Sequence, residues 1–511
     1  MLNLWLLAAI IVALAGYYFY WGLFPNPLPG VPYDADSAKR PLGDIPEIKA
    51  AAQDTGEFIG SRFTVARRLG LPVTQLLLPR ILRRNVVMLN DPIEAEDILT
   101  RRHHEFDRSI ITRQYFLPFF PHSTIAQETT PELKAQKRLW APVMNTTFLN
   151  QVVAPNVHLA GRELVELWRT KAQQSPGQPF EAAKDFGNAA LDAIWVAVLG
   201  SSLGVTRSEI ERLQKTQHKE ELASRTGDES NHSKVSAAIV QEAMQYLNKI
   251  VDIGFTATFQ PLALFLVKLS PKFRRFKKIT YDEVNKLMVQ ACERYQRVKC
   301  LDTENDGERL DTCAMDLVLR REVLMARKNG QPVPDPTKNP AMLQELLLLL
   351  LAGHDSTAGV LSWFVKLMPQ HPSVQTTLRQ TSTPPSLLTT LPAPSPLPPK
   401  SLPPPPLPRR HHRGNPPLLS PTAAVPRVAK VDTTILGYPI HKGTLVTMNT
   451  RFDSSYKPWG KKLAMRELTI ITTLLILSFE FLPLPEGGDD MLPRERLFRQ
   501  PKACVVNLRP L

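Results

Sequence analysis

The first 33 residues carry no charged side chain, and Leu2 to Phe24 form one apolar-dominated run. A helix of about 23 residues covers ~30 Å of hydrocarbon, so this pattern predicts a membrane-spanning helix. Tyr17, Tyr18, Phe19, Tyr20 and Trp21 cluster at its end, as an interfacial aromatic belt would. A cleavable signal would start basic and finish on a small-residue cleavage site; neither pattern is seen. Pro25-Asn26-Pro27-Leu28-Pro29-Gly30-Val31-Pro32 follows, which stops the helix and serves as a stiff spacer.

Beyond the spacer the periodicity changes. Residues 34–100 mix helical and strand-like stretches, with a strand candidate near Arg84–Leu89. Apolar positions recur at helical spacing through 130–330. Leu343 to Met368 reads as a long apolar helix, and Gly460 to Glu467 opens another. Ala503-Cys504-Val505-Val506 reads as a strand. The run Lys272-Phe273-Arg274-Arg275-Phe276-Lys277-Lys278 is basic and aromatic. It fits a membrane surface, and equally a solvated helix face.

Between residues 384 and 426 the pattern is lost, with 16 prolines in 43 positions. Leu402-Pro403-Pro404-Pro405-Pro406-Leu407-Pro408-Arg409-Arg410 forms neither helix nor central strand. Pro405 to Arg410 fits P-x-x-P-x-R, a ligand of SH3-type domains in polyproline II form. A disordered linker is the plainer reading, because short motifs arise easily in such composition.

Composition adds three constraints. Hydrophobic content of 43% suffices for a sizeable core. The net charge of +14 suits anionic lipid or an acidic protein partner. No nucleic-acid motif accompanies it, so nucleic acid is not an expected partner. Four cysteines, Cys292, Cys300, Cys313 and Cys504, form no zinc pattern and no dense disulfide frame. They read as reduced thiols.

Four groups of residues then point one way. Ala352-Gly353-His354-Asp355-Ser356-Thr357 matches A-G-x-[DE]-T-[TS], with serine in the usual threonine position. Lys461-Lys462-Leu463-Ala464-Met465-Arg466-Glu467 matches K-x-L-A-x-x-E. Phe106-Asp107-Arg108-Ser109 and a helix over Leu133–Val143, with Lys134 and Arg138, form the third group. Arg427 to Asp432, Leu436-Gly437-Tyr438 and Lys442-Gly443-Thr444 form the fourth. Together they resemble the cytochrome P450 family, most of all its fungal microsomal members. The resemblance covers residues 1–380 and about 422–511.

The resemblance implies a mainly α fold with small β-sheets, one large domain behind an N-terminal transmembrane helix. The expected parts are an anchor at 1–24, a hinge at 25–33, a first part at 34–380, a proline-rich insert at 381–425 and a truncated C-terminal part at 426–511. It implies haem, a hydrophobic small-molecule substrate, and electrons from NADPH-cytochrome P450 reductase. It also implies a single-pass protein of the endoplasmic reticulum membrane with its catalytic domain facing the cytosol. The sequons at Asn145 and Asn231 then stay unmodified. Asp355, Ser356 and Thr357 correspond to the proton-relay groups. Gly353 lets dioxygen lie close to the helix. Lys134, Arg138 and Arg427 correspond to cations on the haem propionates.

Two family parts are missing. The haem loop reads F-x-x-G-x-R-x-C-x-G and runs into K-x-L-A-x-x-E. If Gly460 is its last glycine, the cysteine position falls on Pro458 and the arginine on Tyr456. Cys504 lies far beyond, in a strand. The E-x-x-R pair is absent too, since no Asp or Glu occurs between Asp355 and Asp432. His411 and His412 lie in the proline-rich segment and offer no specific ligation. A stretch read in a wrong frame, or an unspliced intron, explains 381–425; a deletion explains the junction at Trp459-Gly460. The proximal side is thus disrupted, and the expectation is a monooxygenase by lineage that is catalytically incompetent as written. The alternatives are a non-catalytic anchored protein with a proline-rich interaction segment, and a different haem reaction such as dehydration or isomerisation.

Overall fold

A computed structural model of the chain describes residues 2–82, 85–109, 113–114, 116–221, 231–256, 260–298, 311–332, 335–382, 422, 424–449, 461–485, 491–495 and 498–511. Helices predominate and the sheets are small. Two compact units emerge: one from Met1–Arg113, His411–Tyr456 and Leu492–Arg499, the other from Gln114–Arg410, Lys457–Met491 and Gln500–Leu511. Tyr456–Gly460, Pro405–Arg410, His411 and His412 lie outside the described residues.

In the first unit, the N-terminal helix spans Leu2–Gly22. Its window Trp5–Gly22 is apolar and long enough to cross a membrane, and none of it is buried against protein. Trp5, Val12 and Tyr18 are each more than 70% exposed. The helix is therefore a candidate membrane anchor.

A five-stranded sheet follows. Its hairpin strands Val73–Leu76 and Val86–Leu89 are antiparallel. Val86–Leu89 then pairs in parallel with Leu445–Asn449. That strand pairs antiparallel with Ala424–Ala429, which pairs with Phe106–Arg108 at the other edge. Val73, Val87, Leu89, Phe106, Ala429, Val446 and Met448 fill one core beside it. Val73–Leu76 and Val86–Leu89 are buried throughout; the second is continuously apolar, as burial on both faces requires, and in the first the Gln75 side chain bonds the Leu28 and Val31 carbonyls.

The second unit centres on the helix Pro340–Leu367. Pro340 occupies its first turn, where no N–H partner is lost, and the Asn339 side chain caps Ala341 N and Met342 N. The helix covers the predicted stretch from Leu343 to Leu367, and its expected last residue, Met368, opens a 3₁₀ turn, Met368–Gln370. Ala183–Leu199 packs along it and ends at Gly200, in a left-handed conformation with φ 74°. A three-stranded sheet, with Phe180–Glu181, Val505–Pro510 and Phe479–Leu482, lies in the same unit.

Several expectations shift. The helix expected at Leu133–Val143 is Pro131–Trp140 followed by a 3₁₀ turn, Ala141–Met144, because Pro142 lacks the N–H that would continue it. The basic run 272–278 lies inside a helix, Pro271–Val298, with Phe273 and Phe276 buried. Its aromatics therefore anchor the helix and only its cations face water. The helix Pro372–Ser382 passes residue 380, and the strand Ala424–Ala429 begins before 426.

Candidate functional site

The central helix is buried from Leu346 to Leu351, all leucine, and again from Ala358 to Leu367, apolar but for Ser362 and Lys366. Between these runs Ala352 is exposed, and Gly353, Asp355 and Ser356 are half-buried, while His354 and Thr357 are buried. Three of the predicted groove positions, Gly353, Asp355 and Ser356, thus lie where the middle of this helix is only half-buried, and the fourth, Thr357, is buried.

Each group has a defined partner. The Ser356 hydroxyl donates to the Ala352 carbonyl at 2.8 Å, four residues back. Gln500 Nε2 donates to Asp355 Oδ1 at 2.8 Å. Thr357 Oγ1 donates to Glu467 Oε2 at 2.8 Å. Glu467 is fully buried, and its Oε1 has no hydrogen-bond partner among the described residues. Burial pushes its carboxyl up to about 8, which the Thr357 hydrogen bond opposes. Glu467 is therefore neutral at physiological pH.

Gly353 serves packing. A Cβ there would meet Ile194 Cγ1 at 2.8 Å and Cδ1 at 3.0 Å. Contact with the helix Ala183–Leu199 alone requires glycine.

The predicted propionate cations are on helix and strand as expected. Lys134 and Arg138 are exposed, one turn apart on Pro131–Trp140, with no ion-pair partner for either among the described residues. The Arg138 carbonyl accepts from Arg321. Arg427, half-buried on Ala424–Ala429, donates from Nη1 to the Pro426 carbonyl at 2.9 Å and belongs to the other unit.

The described thiols do not supply an iron ligand. Cys504 is buried, its Sγ donates to the Ser362 carbonyl at 3.7 Å, and burial pushes its thiol up to about 12. Cys313 is buried as a helix cap, accepting from Asp316 N at 3.4 Å, and burial raises its thiol as well. Burial also raises half-buried Cys292. A thiolate ligand requires the opposite shift. Pro458 and Cys300 lie outside the described residues. Among the described residues, no thiol carries the lowered pKa that a haem thiolate ligand requires.

Sequence reasoning assigned no role to Glu467, Gln500 or Ile194. A single acid in the apolar run Leu463–Leu475 was a signal for Glu467. Nothing local marks Gln500 or Ile194.

The cytochrome P450 family model matches residues 72–382. A cytochrome P450 monooxygenase of Pestalotiopsis microspora, GME11363, is 30% identical over 381 residues, 73% of this chain and 63% of that relative. The match thus spans less than two thirds of that relative's length. The TRI13 monooxygenase of Fusarium sporotrichioides is 29% identical, with 88% of this chain and 77% of the relative aligned. The xilC monooxygenase of Penicillium rubens is 26% identical over 94% of this chain and 92% of its own length. With the family model covering more than half its length, and with the groove helix in place, the chain belongs to the cytochrome P450 family.

Proposed function

We propose that this chain descends from a membrane-anchored, haem-dependent monooxygenase of hydrophobic small molecules, and that the sequence as it stands has lost the haem-thiolate chemistry. One observation carries the second half. No cysteine occurs between Cys313 and Cys504, so none precedes Lys461 in the loop that should hold iron. The family match ending at residue 382 supports the same reading, as does the missing E-x-x-R pair.

The first half draws on the groove and on the relatives' printed names. Asp355 is fixed by an uncharged donor and Ser356 by its own helix. These groups suit proton handling beside a bound small molecule. Lys134 and Arg138 suit an anionic edge of a prosthetic group. The apolar N-terminal helix supports residence at the endoplasmic reticulum membrane, with the catalytic domain cytosolic and NADPH-cytochrome P450 reductase as electron donor in the ancestor.

The test is spectroscopic and genetic. The exact chain, produced with added haem, is reduced and exposed to carbon monoxide. The expected outcome lacks the thiolate-type Soret band; its appearance at one haem per chain overturns the proposal. Sequencing of transcripts across 380–426 and 456–462 shows whether a longer messenger restores the cysteine loop.

A further inference from the structure

Three acids converge between the proline spacer and the strand Val73–Leu76. Asp34 caps the short helix Ala35–Ala38. Asp44 immediately precedes the helix Ile45–Thr55 without capping it, and Glu47 lies in that helix's first turn. One carboxylate oxygen from each lies within 4.8 Å of the others. Asp34 is buried, Asp44 is completely so, and Glu47 is half-buried. Asp44 is also fixed in place. Its N–H donates to the Leu77 carbonyl at 2.9 Å, and its Oδ2 accepts from Leu77 N at 2.7 Å.

Positive charge reaches these acids from one side only. Arg68 Nη2 donates to Asp34 Oδ2 at 2.8 Å and to Glu47 Oε2 at 3.2 Å, and Arg68 Nε donates to Glu47 Oε1 at 3.3 Å. Arg40 Nη2 lies 3.6 Å from Glu47 Oε2. Both arginine side chains are nearly half exposed, at 47% and 43%. No cation lies within salt-bridge distance of Asp44 among the described residues. Its Oδ1 is buried and has no hydrogen-bond partner there. Ser37 is the nearby hydroxyl, but its single proton goes to Asp34 Oδ2 at 2.9 Å, while its oxygen accepts from Arg40. Burial holds the Asp44 carboxyl above the ordinary aspartate range, and the Glu47 and Asp34 charges add to that.

We propose that Asp34, Asp44 and Glu47 form a binding site for a hard divalent cation, calcium in preference to magnesium, with Asp44 Oδ1 as the inner ligand and Arg68 as the group displaced. The ligand atoms are all carboxylate oxygens, the set that calcium and magnesium take. Opposite ligands of calcium stand about 4.6–5.2 Å apart, twice its bond length, and those of magnesium about 4.0–4.2 Å. With Asp44 clamped to the Leu77 peptide, the larger ion needs less movement of the acids. Glu47 faces water, which leaves room for the water ligands that complete a shell of six to eight oxygens. A half-exposed arginine pair is weak, so Arg68 can turn outward at little cost. Acids at a helix start are often no more than a solvated face favoured by the helix dipole. That account covers Asp34 and Glu47, and it leaves a completely buried Asp44 with one oxygen unserved. The adjoining turn carries Leu42 N, which donates to the Leu23 carbonyl at 2.8 Å. An ion here therefore stiffens the joint between the N-terminal helix and the sheet.

The test measures uptake of radioactive calcium chloride by equilibrium dialysis. The full chain is held in phosphatidylcholine nanodiscs after treatment with chelator, and protein-free discs serve as the blank. One ion per chain is expected, with a Kd on the order of 0.1–1 mM. Magnesium chloride is expected to compete about tenfold more weakly than unlabelled calcium. Asp44→Asn is expected to abolish uptake, and Glu47→Gln to weaken it about tenfold, since each removes a charged ligand. Arg68→Gln is expected to tighten uptake about threefold, because it removes the competing cation. A merely structural cluster would give the reverse, with Arg68→Gln loosening the acids and gaining no ion. Circular dichroism checks that each variant is folded. If Asp44→Asn fails to fold, the half-exposed Glu47→Gln and Arg68→Gln decide. Absence of saturable uptake, uptake unchanged in Glu47→Gln, or weaker uptake in Arg68→Gln each overturns the site. Equal competition by magnesium overturns the preference for calcium.

Discussion

Thr357 and Glu467, 110 residues apart, share a buried hydrogen bond of 2.8 Å between hydroxyl and carboxyl. It ties the groove helix to the helix Lys461–Ser478. Because the second carboxyl oxygen of Glu467 is unpartnered, the bond holds a neutral acid in an apolar setting.

That neutrality has a pH signature. The folded chain keeps a proton that the unfolded chain releases, since burial moves the group from 4.5 to about 8. Stability therefore falls as pH rises between those values and levels off above them. Glu467→Gln keeps an acceptor for Thr357 and cannot ionise. It is expected to gain roughly 3 kcal/mol near neutral pH and to flatten the decline. Urea unfolding across this range checks it; parallel curves for the two proteins would refute the assignment.

Gly353→Ala sets helix propensity against packing. Alanine favours a helix by about 1 kcal/mol over glycine. Its Cβ, however, would press on Ile194 at 2.8 Å, and overpacking costs about 1–3 kcal/mol. Net destabilisation is expected, with recovery in Gly353→Ala/Ile194→Ala relative to the sum of the singles. Thermal unfolding of the three variants decides; additive effects would show that the helices part freely.

Gln500→Glu places a second carboxylate beside Asp355, whose Oδ1 now accepts at 2.8 Å. Two carboxylates at such range resist ionising together. A loss of about 1–2 kcal/mol at neutral pH, shrinking on acidification, is expected. Gln500→Ala is expected to cost under about 1 kcal/mol, the worth of one ordinary hydrogen bond. Equal losses from both variants at every pH would remove the positioning role of Gln500.

Membrane orientation is open to a simple assay. Asn145 is exposed, with extended backbone, where it precedes Thr146–Phe148. Its side chain is thus accessible to glycosyl transfer in a lumenal domain. A cytosolic domain leaves it unmodified, so digestion with endoglycosidase is expected to leave the mobility of the chain unchanged. A shift lost in Asn145→Gln would place the domain in the lumen.

Much of the fold is written locally in the chain. Pro340 and the leucines after it specify the central helix, and Asp355 to Thr357 stand out within it because, with His354, they interrupt a largely apolar sequence. The strand Val86–Leu89 is visible in its β-branched run. What cannot be read locally is whatever depends on distant partners. The packing role of Gly353 is hidden because its neighbour Ile194 is 159 positions away. The aromatics at Phe273 and Phe276 resemble surface anchors until their helix turns them inward. Gln500 carries no pattern at all, because a single amide donor has no periodicity.

The five-stranded sheet also sets a timetable for synthesis. Val86–Leu89 waits for Leu445–Asn449 on one face of the ladder, and Phe106–Arg108 waits for Ala424–Ala429. The gap of about 360 residues takes roughly 20–70 s to translate. Throughout that interval the hairpin and the edge strand have emerged from the ribosome with open hydrogen-bonding edges. A product released anywhere in the proline-rich stretch never acquires the strands that join them. Such truncated chains are the ones that chaperones and proteases would have to intercept.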